Sequence, residues 1–199
     1  MKKILIAAVI SLFALSQAEA QVSFRPGLRG GVNFSHFTKG DNETYYDYYT
    51  DTYVSSTRDF TSKTDFYLGF YGALKLTKYY TLQPEVDYTR QGSTYRFPGT
   101  AEQKLNVSYL SIAVANKFTF NEKFNVHLGP TIDFQVENDF DTDSEVDLAF
   151  FLGAGYSFNK NFGLEARVKK GIIPVLDYSD GNHTNVVFSV GATYTFDMK

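Results

Sequence analysis

Apolar and polar residues alternate along most of this chain with a period of two. The segment 124–136 shows the pattern most clearly, with Phe, Val, Leu, Pro, Ile, Phe and Val at the even positions and polar or small residues between them. Such alternation indicates a strand with two unlike faces. A strand of about 13 residues, tilted by about 45°, can cross the ~30 Å hydrocarbon layer of a bilayer, whereas soluble strands usually have about 5 to 6 residues.

The same alternation recurs along the chain and predicts eight strands. They cover residues 28–35, 65–76, 82–89, 110–118, 124–136, 147–158, 162–169 and 186–196. Short turns lie around 78–80, 121–123 and 159–161, while the other connections, 38–64, 92–104, 137–145 and 171–184, are long and polar. Short turns at one end and long loops at the other are typical of outer-membrane barrels. We therefore predict an all-β fold, an eight-stranded antiparallel up-and-down transmembrane β-barrel with periplasmic turns and external loops.

A soluble lipocalin-like barrel would show the same strand count, but its apolar face would point inward. Here the odd face carries glycines and charges, and the even face carries aromatic residues near the strand ends, which predicts two girdles at the membrane interfaces. The predicted girdle residues are Phe118, Phe120, Phe124, Tyr156, Phe158, Phe162, Tyr194 and Phe196 near the turns, and Phe34, Phe66, Tyr88, Phe134 and Phe188 near the loops. Pro84 and Pro130 each remove a ladder donor, and we expect a local bulge at each.

The first residues read as a targeting segment. Lys2 and Lys3 precede an apolar run, and Ala18-Glu19-Ala20 forms a small-x-small cleavage site, so we predict a cleaved signal peptide over 1–20 and a single outer-membrane β-barrel domain over 21–199. Cleavage would change the formal net charge from −3 to about −4, which gives no basic footprint for nucleic acid. The absence of Cys excludes a disulfide framework.

Several motifs carry a family resemblance. They are L-Q-P-E-V-D-Y-T-R-Q-G (82–92), Y-L-S-I-A-V-A-N-K-F (109–118), G-P (129–130), G-A-G-Y-S-F (153–158) and G-A-T-Y-T-F (191–196). With them the chain resembles the PorT-like family of bacterial outer-membrane β-barrel proteins over nearly its whole mature length. The resemblance implies a barrel in the outer membrane, a Pro in the P-E motif as a usual feature, and a role assisting protein export. In place of a final aromatic residue, which the barrel-assembly machinery reads in such proteins, Phe196 is followed by Asp-Met-Lys.

Charged residues at odd positions of the predicted strands should face the lumen. Five are positive: Arg29, Lys75, Lys117, Arg167 and Lys169. Six are negative: Asp65, Glu85, Asp87, Asp133, Asp147 and Glu165. Because eight strands leave an interior just wide enough for side chains, we predict a paired polar network that plugs the barrel, with a gated narrow pore as the alternative. Glu85 and Asp87 should lie at the depth of Lys117 and Arg167. The predicted network comprises Arg29, Lys75, Glu85, Asp87, Lys117, His127, Asp133, Glu165, Arg167 and Lys169.

Catalysis is not expected. None of His36, His127 and His183 has a Ser or carboxylate at a spacing that would place a nucleophile and a base together on a lipid-accessible face. His127 reads as a hydrogen-bonding group in the lumen. We expect no cofactor and no metal site.

Two loops are distinctive. The first holds Tyr45, Tyr46, Tyr48, Tyr49 and Tyr53, which are either a binding surface or aromatic cross-strand pairs on extended strands. The second, 137–147, spaces its acidic residues like the start of a calcium loop but lacks the turn Gly and the closing Glu. We expect it to be solvated, holding divalent cations only loosely near lipopolysaccharide.

The sequence therefore predicts a non-catalytic integral outer-membrane barrel with a structural or surface-interaction role. A narrow porin-like channel for small solutes is the alternative, and a lipid-modifying enzyme is a distant third. The expected partners are outer-membrane lipid and lipopolysaccharide, the barrel-assembly machinery and a protein partner at the outer loops, but not nucleic acid. We expect a monomer.

Overall fold

A closed antiparallel barrel forms the body of the protein. The computed structural model describes residues 22–39, 43–56, 60–95, 102–178 and 181–197. The strands are β1 (Ser23–Phe37), β2 (Glu43–Asp47), β3 (Thr52–Ser56), β4 (Phe60–Thr61), β5 (Lys63–Lys75), β6 (Tyr80–Tyr95), β7 (Gln103–Phe120), β8 (Phe124–Asn138), β9 (Val146–Ser157), β10 (Phe162–Gly171), β11 (Leu176–Tyr178), β12 (Gly181–His183) and β13 (Asn185–Thr195). The eight long strands pair in chain order, and β1 pairs with β13 to close the barrel. The predicted fold is confirmed.

In the membrane-spanning part of the wall, the strand register places the even-numbered side chains on the outer face. Thr94 and Ser108, in the loop-end extensions of β6 and β7, are even-numbered but buried. Cross-strand partners in the barrel wall share parity, as in Leu28 with Phe70 and Ile112 with Ile132, so the faces stay in step around the circumference. Leu68 and Leu152 are 58% and 60% exposed, while their neighbours Tyr67 and Phe151 are each 5% exposed. The apolar face therefore points outward, as the alternation predicts.

The outward aromatic rings form two belts. Near the turns, Phe124 packs on Tyr156 and Phe162 on Tyr194, with ring centroids 4.8 and 4.7 Å apart. Near the loops, Phe34 pairs with Phe188 at 6.2 Å. This is the arrangement that membrane-interface girdles require.

The two strand prolines interrupt the ladder without shifting it, so the expected bulges are absent at both sites. Pairing of β5 with β6 stops at Tyr71–Glu85 and resumes at Leu74–Leu82 in the same register, on either side of Pro84. Pairing of β7 with β8 skips the position of Pro130 in the same way. Each proline lacks only one donor, and a local gap in one ladder accommodates that loss without an extra residue.

The predicted external loops contain strands of their own. β2 pairs with β3, β11 with β12, and β4 with the end of β6, while β6 and β7 extend together as far as Tyr95 and Gln103. Here a small apolar core replaces lipid contact: Phe37, Phe60, Val175 and Leu176 are buried together. The alternating pattern fails at the end of β6, where residues 91–94 are all buried, so both faces of the strand are covered.

Residues 1–20, the predicted signal peptide, lie outside the described residues. Within the described ranges no helix is long and apolar enough to cross a membrane.

Candidate functional site

A cluster of charged side chains crosses the middle of the lumen. Arg29 of β1 reaches three carboxylates: its Nε and Nη2 donate to Glu165 Oε1 at 2.9 and 2.5 Å, and its Nη1 donates to Glu85 Oε2 at 2.9 Å and to Asp87 Oδ2 at 2.5 Å. The ring of Tyr67 lies 4.8 Å from the guanidinium carbon, and its hydroxyl donates to Glu165. All of these groups are buried.

Glu85 is the centre of the cluster. Arg167 of β10 donates to both of its oxygens, from Nη1 at 2.6 Å and from Nη2 at 2.8 Å, and Gln83 donates to Oε1 at 2.7 Å. With Arg29 on Oε2, this carboxylate accepts four hydrogen bonds and is 1% exposed. Bidentate Arg–carboxylate pairs are among the strongest and most directional contacts in proteins. The cluster thus joins β1, β6 and β10 across the barrel.

His127 extends the cluster toward β8. Its Nε2 accepts a 2.9 Å hydrogen bond from Arg167 Nε, and its Nδ1 lies 3.0 Å from Asn125 Oδ1. Because Nε2 accepts, Nδ1 carries the proton and donates to Asn125. The histidine is therefore the hydrogen-bonding group in the lumen that its odd position predicts.

Glycines on neighbouring strands make room for the long side chains. Arg29 lies opposite Gly69, Glu165 lies between Gly155 and Gly191, and Arg167 lies opposite Gly153. A Cβ at Gly153 would meet Arg167 Cγ at 2.8 Å, which is closer than van der Waals contact allows. The inward glycines thus leave the space that the long inward charged side chains occupy.

Other predicted network residues lie apart from this cluster. Lys169 pairs with Asp133, and Asp133 also accepts a hydrogen bond from Thr131 at 2.9 Å. Lys117 faces inward and is half-buried, whereas Lys75 is exposed at the turn end of β5. Neither lysine forms an ion pair within the described part of the chain.

Sequence reasoning on charges alone missed several lumen groups. Gln83, Tyr67 and Phe151 line the two arginines, with Phe151 4.7 Å from the Arg167 guanidinium carbon. All three occupy odd positions in their strands, so the same parity rule could have found them. Lys63 also pairs with Asp65 near the loop end, although β5 was predicted to begin only after Lys63.

The cluster leaves little open space in the centre of the barrel. On its loop side is a cavity of only about 50 Å³, lined by Arg29, Asp87 and Lys169 among others. A space of this size holds one or a few water molecules. Together the cluster and the external apolar core obstruct the lumen.

The tyrosine-rich loop forms a separate hairpin, β2–β3. Tyr46 and Tyr53 face each other across it, 5.1 Å between ring centroids, and Tyr48 packs against Tyr46 at the same distance. Tyr46 also donates to Asp51, and this hydrogen bond raises the pKa of Tyr46. Tyr48, Tyr49 and Tyr53 are 87%, 101% and 76% exposed. The hairpin thus contains an aromatic cross-strand pair and an exposed aromatic surface; the side chain of Tyr45 lies outside the described residues.

The remaining candidates for chemistry are held by structural contacts. His183 is buried, with Nδ1 2.6 Å from the carbonyl oxygen of Thr38. In the acidic loop, Asp139 accepts from the backbone and side chain of Asn106. Across the described ranges no group of three or more His, Asp or Glu is arranged to hold a metal ion.

Comparison with family models gives a match over residues 16–177 to the outer membrane protein beta-barrel domain. This match spans most of the chain. The protein belongs to this family. It is accordingly an outer-membrane β-barrel protein. No curated protein sequence matches it significantly.

Solved structures confirm the fold. Neisserial surface protein A matches with a TM-score of 0.56 and 15% identity, covering 86% of this chain and 97% of that one. OprG from Pseudomonas aeruginosa matches with a TM-score of 0.50 and 13% identity, covering 89% and 98%. At these identities the likeness concerns the architecture alone.

Proposed function

We propose that this outer-membrane barrel is a non-catalytic, non-conducting protein that presents its tyrosine-rich hairpin to a partner outside the cell. The observation that carries the proposal is the contrast between an obstructed lumen and an exposed aromatic hairpin. Tyrosine supplies large, rigid contact area at low entropic cost, which suits a binding surface. The partner chemistry that fits is a protein surface with apolar patches and hydrogen-bond acceptors.

The obstructed lumen argues against transport of solutes. Glu85 of β6 joins both arginines, which reach it across the lumen from β1 and β10, the two neighbours of β13. A solute would have to displace a buried, extensively hydrogen-bonded charge group, which is energetically costly. The narrow porin-like channel is therefore the second candidate.

Two of the three histidines support a non-catalytic role. His127 is engaged by Arg167 inside the lumen, and His183 is engaged by Thr38 in the loop region. Neither histidine is accessible to lipid, as a lipid-modifying enzyme would require. The finer PorT-like assignment and the role in export remain predictions from the sequence motifs.

Photo-crosslinking in intact cells tests the surface role. A photoreactive amino acid at Tyr49 should form a discrete adduct with a partner, and combined Tyr48→Ser and Tyr53→Ser substitutions should abolish that adduct. Tyr79, exposed at the opposite end of the barrel, is the matched control position. Absence of an adduct at Tyr49, or the same adduct in the doubly substituted hairpin, would contradict the proposal.

Planar-bilayer recording separates the two candidates. The folded protein should give no stepwise current under conditions in which an outer-membrane porin conducts readily. Reproducible unitary openings would favour the channel instead.

A further inference from the structure

A second interior space lies on the turn side of the charged cluster. It has a volume of about 740 Å³ and is lined by strand ends, such as Tyr71 and Thr119, and by all three short turns. Sites for small molecules usually occupy about 300 to 1,000 Å³. This space, the turn-end cavity, is large enough for such a ligand and opens where the turns are exposed.

Positive charge dominates the lining of the turn-end cavity. Six basic side chains and one acidic side chain line it: Arg25, Lys75, Lys78, Lys117, Lys123 and Lys160, with Glu122. Arg25 is already engaged, by Asp197 at 2.7 Å and by the carbonyl oxygen of Lys160 at 3.0 Å. Within the described residues, the five lysines form no ion pair with a carboxylate. Among the described residues, the lining of the cavity therefore has an excess of positive charge.

Lys117 is the deepest of these lysines. It lies between Thr81 of β6 and His127 of β8 in the wall, on the inward face of β7, directly on the turn side of the charged cluster. Its ammonium group has no hydrogen bond or ion pair with any described residue. A half-buried ammonium is costly unless an anion accompanies it. The cluster carboxylates Glu165 and Glu85 act on Lys117 from a distance without forming an ion pair with it, so its ammonium group can take an anion at the inner end of the cavity.

We propose that the turn-end cavity binds a soluble, small-molecule-sized polyanion that bears at least two phosphate or carboxylate groups. Lysines bind such groups as point charges, and a cavity with low-dielectric walls concentrates its positive field on them. Tyr71, Tyr79 and Phe158 supply apolar contact surface, and Asn121 supplies polar contacts for the rest of the ligand. Because the turns of such barrels are periplasmic, the ligand would come from the periplasm.

Calorimetric titration of the folded protein in a nonionic maltoside detergent tests the site. Pyrophosphate and citrate are the probes, and they distinguish phosphate from carboxylate as the preferred group. At least one should bind saturably to one site at low ionic strength, and binding should weaken as salt is added. Absence of saturable binding of either probe would overturn the proposal.

Matched lysine substitutions locate the site. Lys117→Gln should weaken binding about tenfold, the usual effect of losing one charge-assisted contact. Lys104→Gln removes the same charge from the same strand at its opposite, loop end and should leave affinity unchanged. Equal losses in the two variants would show non-specific attraction and would overturn the proposal.

A turn variant separates binding from folding. Lys123 is exposed in the turn between β7 and β8, so Lys123→Gln leaves the barrel wall intact. It should weaken binding several-fold. If neither Lys123→Gln nor a correctly folded Lys117→Gln protein loses affinity, the anion binds elsewhere and the assignment of this cavity is wrong.

Discussion

At the scale of single residues, the lumen combines long charged side chains with glycines on adjacent strands. Arg167 can reach Glu85 across the barrel because Gly153 beside it carries no side chain. The cluster is held by buried ion pairs rather than by apolar packing. Removing one partner of such a buried pair is costly, because the other charge is then left buried and unpaired.

A double-mutant cycle tests this pair. Glu85→Ala or Arg167→Ala alone should destabilise the folded barrel by about 3 to 5 kcal/mol, because each leaves an uncompensated buried charge. Water entering the lumen would reduce these values. The double variant should lose less than the summed single losses, with a coupling of about 1 to 3 kcal/mol measured by denaturant unfolding in lipid vesicles. Strict additivity would contradict a direct interaction between Glu85 and Arg167.

At the scale of a strand, the two faces of β8 contact two different environments. Leu128 is 45% exposed on the even face, while Thr131 is buried on the odd face and donates to Asp133. The even face meets hydrocarbon in the membrane, and the odd face meets the polar lumen. A change on one face should therefore have a different effect from a change on the other.

Leu128→Arg should destabilise the barrel by about 2 to 4 kcal/mol, the cost of a cation near the bilayer midplane. Phe124→Arg lies on the same face near the turn-side girdle and should cost less, because the cation there can reach the interface. Thr131→Ser, which keeps the hydroxyl that donates to Asp133, is the mild control. Reversible unfolding in vesicles measures the free energy of unfolding of all three variants. If Leu128→Arg destabilises the barrel no more than Thr131→Ser, the even face does not meet lipid and the assignment of the faces is wrong.

At the scale of the whole molecule, closure of the barrel by β1 and β13 leaves no unpaired long edge in the wall. A closed ladder satisfies the backbone within the membrane and resists detergent unfolding. The external apolar core around Phe37 adds a second, lipid-independent packing region at the loop end. We expect the two regions together to resist unfolding by detergent.

Electrophoresis checks this closure directly. The protein should fractionate with the outer membrane, and an unboiled sample should migrate differently on an SDS gel from a boiled one, because the closed barrel stays folded until heated. A soluble periplasmic fraction, or identical migration of the two samples, would contradict a closed transmembrane barrel.

The pattern of residues along the chain is enough to give the number of barrel strands, their outward faces and the two aromatic girdles. These features follow from period-two alternation, which is local: each side chain faces either lipid or lumen according to its parity. The same rule predicts that Arg29, Glu85, Glu165 and Arg167 lie on the inner face.

Which inward groups meet, and which loops fold, depends on long-range packing in the closed barrel. Glu85 and Arg167 lie on β6 and β10, which are not neighbours in the sheet, so their contact depends on how the closed barrel brings opposite walls together. Lys75 has the same parity as the cluster residues, but it is exposed at a strand end. Alternation shows which face of the sheet a side chain is on, but not how deep in the barrel it lies. The apolar core around Phe37 forms beyond the membrane, where packing on both faces of the β6 end removes the alternating signal. The described tyrosines of the β2–β3 hairpin are exposed to solvent, so no lipid-facing pattern marks them either.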